Sequence, residues 1–315
     1  MKKIILTGIV CTAVIAFSSP RVTLAEQGVS DSAVLSPQAS ISKTVSAFAN
    51  FMNAGHVANG VALRNRDSGT IHLRGVPSGS TVIKAYLYWN FSDTAATGSA
   101  SSTALFDGNL VIGNKRADSQ DPCWALVGNH TYQADVTSFV LPTKPNQDYN
   151  VAITFNSATV TSGENPWLSS PGNRKLEGAT LIVVFSNAGT AVALYDDLSG
   201  TEFTGTTLTV TLVHPISLRG TGLYTMSGAD GQRGTTGYDN SASNEKGFFN
   251  GVQISGPPVA ASDWDGAAGI PLPQLWDVHT HMVTYSGGAA SSVVRYSSGS
   301  DCLVPVVFVL QANSP

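Results

Sequence analysis

Charge is scarce in this chain. Asp, Glu, Lys and Arg together make up 12% of its 315 residues, against a norm of about 25%. Glutamate occurs five times and lysine eight, whereas serine occurs 36 times and threonine 29. Good helix formers are therefore few, and the composition favours strands and turns. A basic excess is also missing. Beyond residue 25 there are 14 basic residues against 21 acidic ones, a net charge of −7. That balance argues against nucleic acid or an anionic membrane surface as partner. No apolar run after the N-terminus is long enough for a transmembrane segment in the mature chain.

Catalytic signatures are absent too. There is no Gly-x-Ser-x-Gly, His-Glu-x-x-His, P-loop or dinucleotide fingerprint. Neither Cys123 nor Cys302 sits in a local nucleophile signature. A glycosidase would have to use Asp or isolated glutamates such as Glu177 and Glu202. Asp67-Ser68-Gly69-Thr70 echoes one aspartic-protease half-site, but that chemistry needs two carboxylates sharing a proton and no second copy exists. The motif reads as a tight turn, and the chain as non-catalytic.

What is present begins with Met1-Lys2-Lys3, an apolar run from Ile4 to Phe17, and small residues at Thr23 and Ala25. This predicts a secretory signal peptide over 1–25 and a secreted, extracellular or cell-surface location. Cys11 lies inside that segment, without a lipoprotein cleavage box before it. Cys123 and Cys302 remain, and in an exported chain a pair invites a disulfide. Chain entropy would give such a long-loop bridge about 5 kcal/mol. Two buried thiols are the alternative.

Residues 26–42 read as a flexible N-terminal segment. A short amphipathic helix fits Lys43–Met52, and Val61–Leu73 reads as a hairpin around Asp67-Ser68-Gly69. From Val82 to Phe91 the pattern has period two: Ile83, Ala85, Leu87, Trp89 and Phe91 on the buried face, Lys84, Tyr86, Tyr88 and Asn90 on the other. Ala179–Phe185 is apolar on both faces, the mark of a covered central strand. The surrounding stretch, Leu176–Gly200, reads as strand, turn and strand, and Lys84–Gly108 echoes it at an offset of 94. The expected architecture is all-β, mostly antiparallel with little helix: two packed β-sandwich or jelly-roll halves, 43–160 and 178–315, joined by a linker over 161–177, with the halves possible duplicates.

Candidate sites are few. His279 and His281 share one strand face with Asp277, a set that zinc or copper accepts; two structural histidines are the alternative. Asp263, Trp264 and Asp265, with Asp230 and Asp239, place oxygen ligands in glycine loops where calcium binds, without the twelve-residue helix-loop-helix pattern; solvated turns are the alternative. Asp196 and Asp197 are candidates for the same rim. Tyr86, Tyr88, Trp124, Trp167 and Trp264 are available for stacking on sugars or for core packing.

Several short stretches, in this order, resemble a family of secreted prokaryotic surface domains of unknown function. They are Gly60-Val-Ala-Leu-Arg64, Gly75-Val-Pro77, Ala85-Tyr-Leu-Tyr-Trp89, Tyr132-Gln-Ala-Asp-Val-Thr137, Gly178-Ala-Thr-Leu-Ile-Val-Val-Phe185, Leu194-Tyr-Asp196, Leu275-Trp-Asp-Val278 and Asp301-Cys-Leu303. This chain has Asp197 where the family has glycine. The resemblance implies secreted β-sandwich modules and no reaction, cofactor or catalytic residue. The expected function is a non-catalytic secreted or cell-surface protein, adhesive or matrix-associated, with a glycan or surface component as partner. A carbohydrate-binding or carbohydrate-active protein and a membrane-acting toxin are the alternatives.

Overall fold

The structure is a computed structural model that describes residues 40–64, 66–121, 124, 126–142, 144–153, 174–232, 244–266, 268, 275–298 and 301–314. The expected signal peptide, Cys123, Trp167 and Asp239 lie outside the described residues. Among those described, the chain is almost entirely strand. The one helical element is a 3-10 turn, Thr137–Phe139.

In chain order the strands are β1 (Ile41–Ser46), β2 (Ala49–Ala62), β3 (Ser68–His72), β4 (Val82–Asp93), β5 (Ser101–Phe106), β6 (Asn109–Ser119), β7 (Gly128–Asp135), β8 (Asp148–Ala152) and β9 (Arg174–Tyr195). They continue as β10 (Phe203–Thr204), β11 (Thr207–Val213), β12 (Arg219–Ala229), β13 (Lys246–Phe249), β14 (Val252–Ser255), β15 (Trp276–Tyr285), β16 (Ser291–Ser297) and β17 (Cys302–Asn313). A twelve-stranded sheet runs β15-β12-β17-β9-β4-β7-β6-β5-β8-β3, with β2 paired to β9 and β10 to β17. A five-stranded sheet runs β1-β11-β16-β13-β14. Every pairing is antiparallel except β1 with β11.

Alternation explains how the layers stack. On β4, Ala85, Leu87, Trp89 and Phe91 enter a first core, joined by Leu181, Val183 and Phe185 of β9. Tyr86 and Tyr88, with Ile182 and Val184, enter a second apolar layer completed by Trp276 and by Val304, Val307 and Val309 of β17. A third cluster lies between β12, β15, β17 and the five-stranded sheet, around Tyr224, Met226, Phe308, Val210 and Tyr296. Two sandwich halves are thus packed through a shared apolar layer. β4 is buried on both faces because it belongs to one half and to that layer at once. β9 runs through both halves, with Leu181 and Val183 in the first core and Ala191, Ala193 and Tyr195 in that of the later strands.

The halves do not follow chain order. Val45 of β1 belongs to the core of the later strands, so the first 20 residues of the 43–160 segment are divided between halves. The expected linker 161–177 already includes the start of β9, and the expected flexible segment ends inside β1. The Lys43–Met52 stretch is strand, not helix: Ala49 to Met52 hydrogen-bond across to Leu194 through Ala191. β3 pairs with β8 rather than β2, so 61–73 is not a hairpin.

Leu176–Gly200 is not strand–turn–strand either. β9 stays one strand because β2 remains paired beyond the polar 186–189 stretch, with Ala54 opposite Ser186 and Met52 opposite Ala191. Both strands bend together there. Asn53 (φ 51°) and Gly189 (φ 78°) adopt left-handed backbone, and the Gly189 N–H donates to Asn53 Oδ1 at 3.2 Å. β4 and β9 are direct antiparallel neighbours. Their shared parity reflects burial on both faces, and β4 alone gives way to a loop and a separate β5, so the echo is not a duplicated unit.

Candidate functional site

On β15, Asp277, His279 and His281 share the face that continues through Val283 and Tyr285 into the core of the later strands. On neighbouring β12, Gly228 lies opposite Asp277. A side chain at Gly228 would collide with the Trp264 ring at 2.2 Å. Glycine there lets the indole lie flat on the sheet, where Phe203 and Tyr296 meet it edge-on. The residues flanking Trp264 are thereby delivered to β15. Asp263 Oδ1 lies 2.6 Å from His281 Nε2, and Asp265 Oδ1 lies 3.6 Å from His279 Nε2. Asp277 Oδ1 is 3.5 Å from the same nitrogen and accepts the backbone N–H groups of Asp265 (3.2 Å) and Gly266 (2.7 Å). Two candidate sets, the His279–His281 face and the Asp263–Asp265 loop, converge on one site.

This overturns the solvated-turn alternative for the loop: Asp263 is 1% and Asp265 6% exposed. Asp263 also accepts from the Tyr296 hydroxyl at 3.1 Å, and Tyr296 meets Tyr224 at 3.0 Å. A buried polar chain thus runs from the core to His281. Burial works against a charged His279 ring, yet the Asp265 and Asp277 carboxylates outweigh it and hold its pKa up at about 10. One ligand atom each from Asp265, Asp277 and His279 falls within 4.8 Å of the others.

Asp230 (φ 69°) follows β12 and is buried, not solvated. It joins an ion cluster built on Arg64, whose Nη2 contacts Glu177 and lies 3.0 Å from Asp230 Oδ1. The Trp124 indole N–H donates to the same oxygen at 2.6 Å. Arg64 and Lys175 place their cations 4.1 Å and 4.7 Å from the Trp124 ring centre. Burial pushes the Glu177 carboxyl well above the usual range and Asp230 up to about 6, with Arg64 pulling both back. Asp301, just before β17, is pushed well above by burial, then by Glu245 and Asp230.

Asp196 is buried and structural: Arg116 grips it twice at 2.8 Å and the Tyr88 hydroxyl donates at 2.9 Å. Asp197 is exposed, 3.3 Å from Lys43 Nζ, so the two aspartates do not form one rim with the other loops. Among the aromatics named for sugar stacking, Tyr86, Tyr88 and Trp264 are core residues at 6%, 0% and 0% exposure. Sequence reasoning missed Arg64 and Lys175, and treated Glu177 only as an isolated acid. The available signal was position: in a chain with five glutamates, Glu177 stands beside the two-faced apolar run Ala179–Phe185.

No protein-family model and no curated protein matches the chain. Among solved structures it is similar to PNGF-II in two crystal forms, at TM-scores of 0.26 and 0.27 and 9% and 10% identity. Those alignments cover 81% of this chain and 62% and 61% of the other, so the chain spans less than two thirds of PNGF-II. It is also similar to a chain of the Sputnik virophage (TM-score 0.21, 8% identity, 97% of this chain and 91% of that one). A further similarity is to the major capsid protein P2 from bacteriophage PM2 (TM-score 0.23, 10% identity, 83% and 98%). At these TM-scores none bears on what this chain does.

Proposed function

We propose that the chain is a non-catalytic, exported β-sandwich protein that acts by surface contact outside the cell. The observation that carries the reading is the outer face of the β5–β6 hairpin. Leu105 and Leu110 are cross-strand partners there, and Ile112 lies two residues further along the same face. They are 40%, 66% and 64% exposed. Neighbouring apolar side chains left in water on one strand pair mark an interaction surface. The export half of the reading rests on the N-terminal basic–apolar–small pattern. In the test, purified protein is incubated with cell-envelope and matrix fractions of the source organism. Wild type is expected to be retained, and Leu110→Asp with Ile112→Asp to pass through; equal retention of the variant defeats the reading. Saturable sugar binding on a glycan array, lost in Trp124→Ala, would replace it with the carbohydrate-binding alternative.

A Cys123–Cys302 bridge belongs to the same proposal. Trp124 is tied to Asp230, and Ala229 pairs with Val304 of β17. Trp124, next to Cys123 in sequence, is thus linked through Asp230 and Ala229 to Val304, two residues from the buried Cys302. Non-reducing intact mass after thiol alkylation is expected to show no adduct on the mature chain; two adducts would remove the bridge.

A further inference from the structure

We propose that Asp265, Asp277 and His279 form a binding site for a divalent transition-metal ion of the zinc class. The spacing carries the argument. His279 Nε2 stands 3.6 Å from Asp265 Oδ1 and 3.5 Å from Asp277 Oδ1. Both separations exceed the N–H···O range of about 2.7–3.2 Å. A cation about 2.1 Å from two ligands at the tetrahedral angle leaves them about 3.4 Å apart. The two edges from His279 Nε2 thus match those of a coordination shell, and one ligand atom from each of the three residues falls within 4.8 Å of the others. His279 Nε2 is a buried nitrogen that no group meets at ordinary hydrogen-bond distance.

The ligands are held from behind. Two backbone N–H groups fix Asp277 Oδ1, and the Asp263–His281 pair, one rung along, fastens the same loop to the same strand. Such outer contacts orient metal ligands. Asp277 and Asp265 are buried, and so is the His279 Nε2 atom itself, so the ligand atoms lie out of bulk solvent. Two carboxylates with an imidazole suit zinc and its neighbours, whereas calcium takes six to eight oxygens. On binding, the cation takes the place of the imidazole proton, which leaves to solvent.

The test is calorimetry on the chelator-stripped full chain with zinc chloride, with calcium chloride in parallel, and cobalt(II) absorption on the wild type. Expected are one zinc per chain, visible cobalt d–d bands, and binding at least about tenfold weaker in Asp265→Asn and His279→Gln. The exposed-histidine control His72→Gln should bind as wild type. No zinc heat and no cobalt bands from the folded wild type would overturn the proposal. So would binding that survives both variants, binding lost in His72→Gln, or calcium binding in place of zinc.

Discussion

The Trp276 indole lies directly over Gly178, so that a methyl group at 178 would stand 2.3 Å from Cδ2 of the ring. Its N–H donates to Thr180 Oγ1 at 3.0 Å. β15 and the first part of β9 meet in the shared apolar layer, and this contact sets how closely they approach. Gly178→Ala forces the ring outward, and overpacking of this kind costs about 1–3 kcal/mol. Gly287→Ala has open space around the new methyl and should stay within about 0.5 kcal/mol of wild type. Urea unfolding of the two variants checks this; equal midpoints would show that the indole does not set the spacing.

Asp196 and Asp197 are adjacent in sequence and opposite in consequence. Tyr88→Phe removes a buried hydroxyl donor to the Asp196 carboxylate, and hydrogen bonds to charged groups are worth about 1.5–3 kcal/mol. Asp197→Ala removes an exposed pair with Lys43, worth about 0–1 kcal/mol. Chemical denaturation should rank Tyr88→Phe well below Asp197→Ala in stability.

The strands were readable because alternation is local. Ala179–Phe185 declares its two buried faces within seven residues. Ala85, Leu87, Trp89 and Phe91 share a face as expected, but Ile83 packs on the opposite face, where Tyr86, Tyr88 and Asn90 are buried as well. The shared parity of Asp277, His279 and His281 needed only strand geometry. The meeting of those residues with Asp263 and Asp265 was not readable. It depends on Gly228 leaving room for Trp264, a contact fixed by sheet order rather than by neighbours in sequence. Aspartates in glycine loops read as solvated turns by default, and only tertiary packing decides that Asp230 and Asp263 are buried. Arg64 and Glu177 are 113 positions apart, and no local pattern links them. The single length of β9 was hidden for a related reason: polar 186–189 looks like a turn unless β2 is known to bridge it.

Arg64 is fully buried between Glu177 and Asp230. Arg64→Met keeps much of the side-chain volume but strands two carboxylates in a dry interior. Breaking a buried pair from one side costs about 3–5 kcal/mol. We expect Arg64→Met to lose that much at pH 7, and Arg64→Met with Glu177→Gln to recover part of it, because the remaining uncompensated charge is halved. A double variant no more stable than the single one would mean that Glu177 is already neutral in the native protein.

His56 of β2 gives the fold an acid limit. Its Nδ1 lies 2.8 Å from Gln311 Oε1, an acceptor, so Nδ1 carries the proton. Nε2, 2.7 Å from the Thr225 hydroxyl, accepts. Burial lowers the pKa from 6.5 to about 4, against the opposing hydrogen bond that the ring donates to Gln311. Above pH 6.5 the ring is neutral folded and unfolded, and its titration has no effect. Below 6.5 the unfolded chain takes up a proton that the native ring refuses, so stability falls as pH drops from 6.5 towards 4. At about 1.36 kcal/mol per pKa unit the loss approaches about 3 kcal/mol. Urea midpoints should therefore fall between pH 7 and pH 4.5 in wild type, and fall less steeply in His56→Gln, which keeps a donor towards Gln311 but does not titrate. The same pH slope in both proteins would move the acid sensitivity to another group.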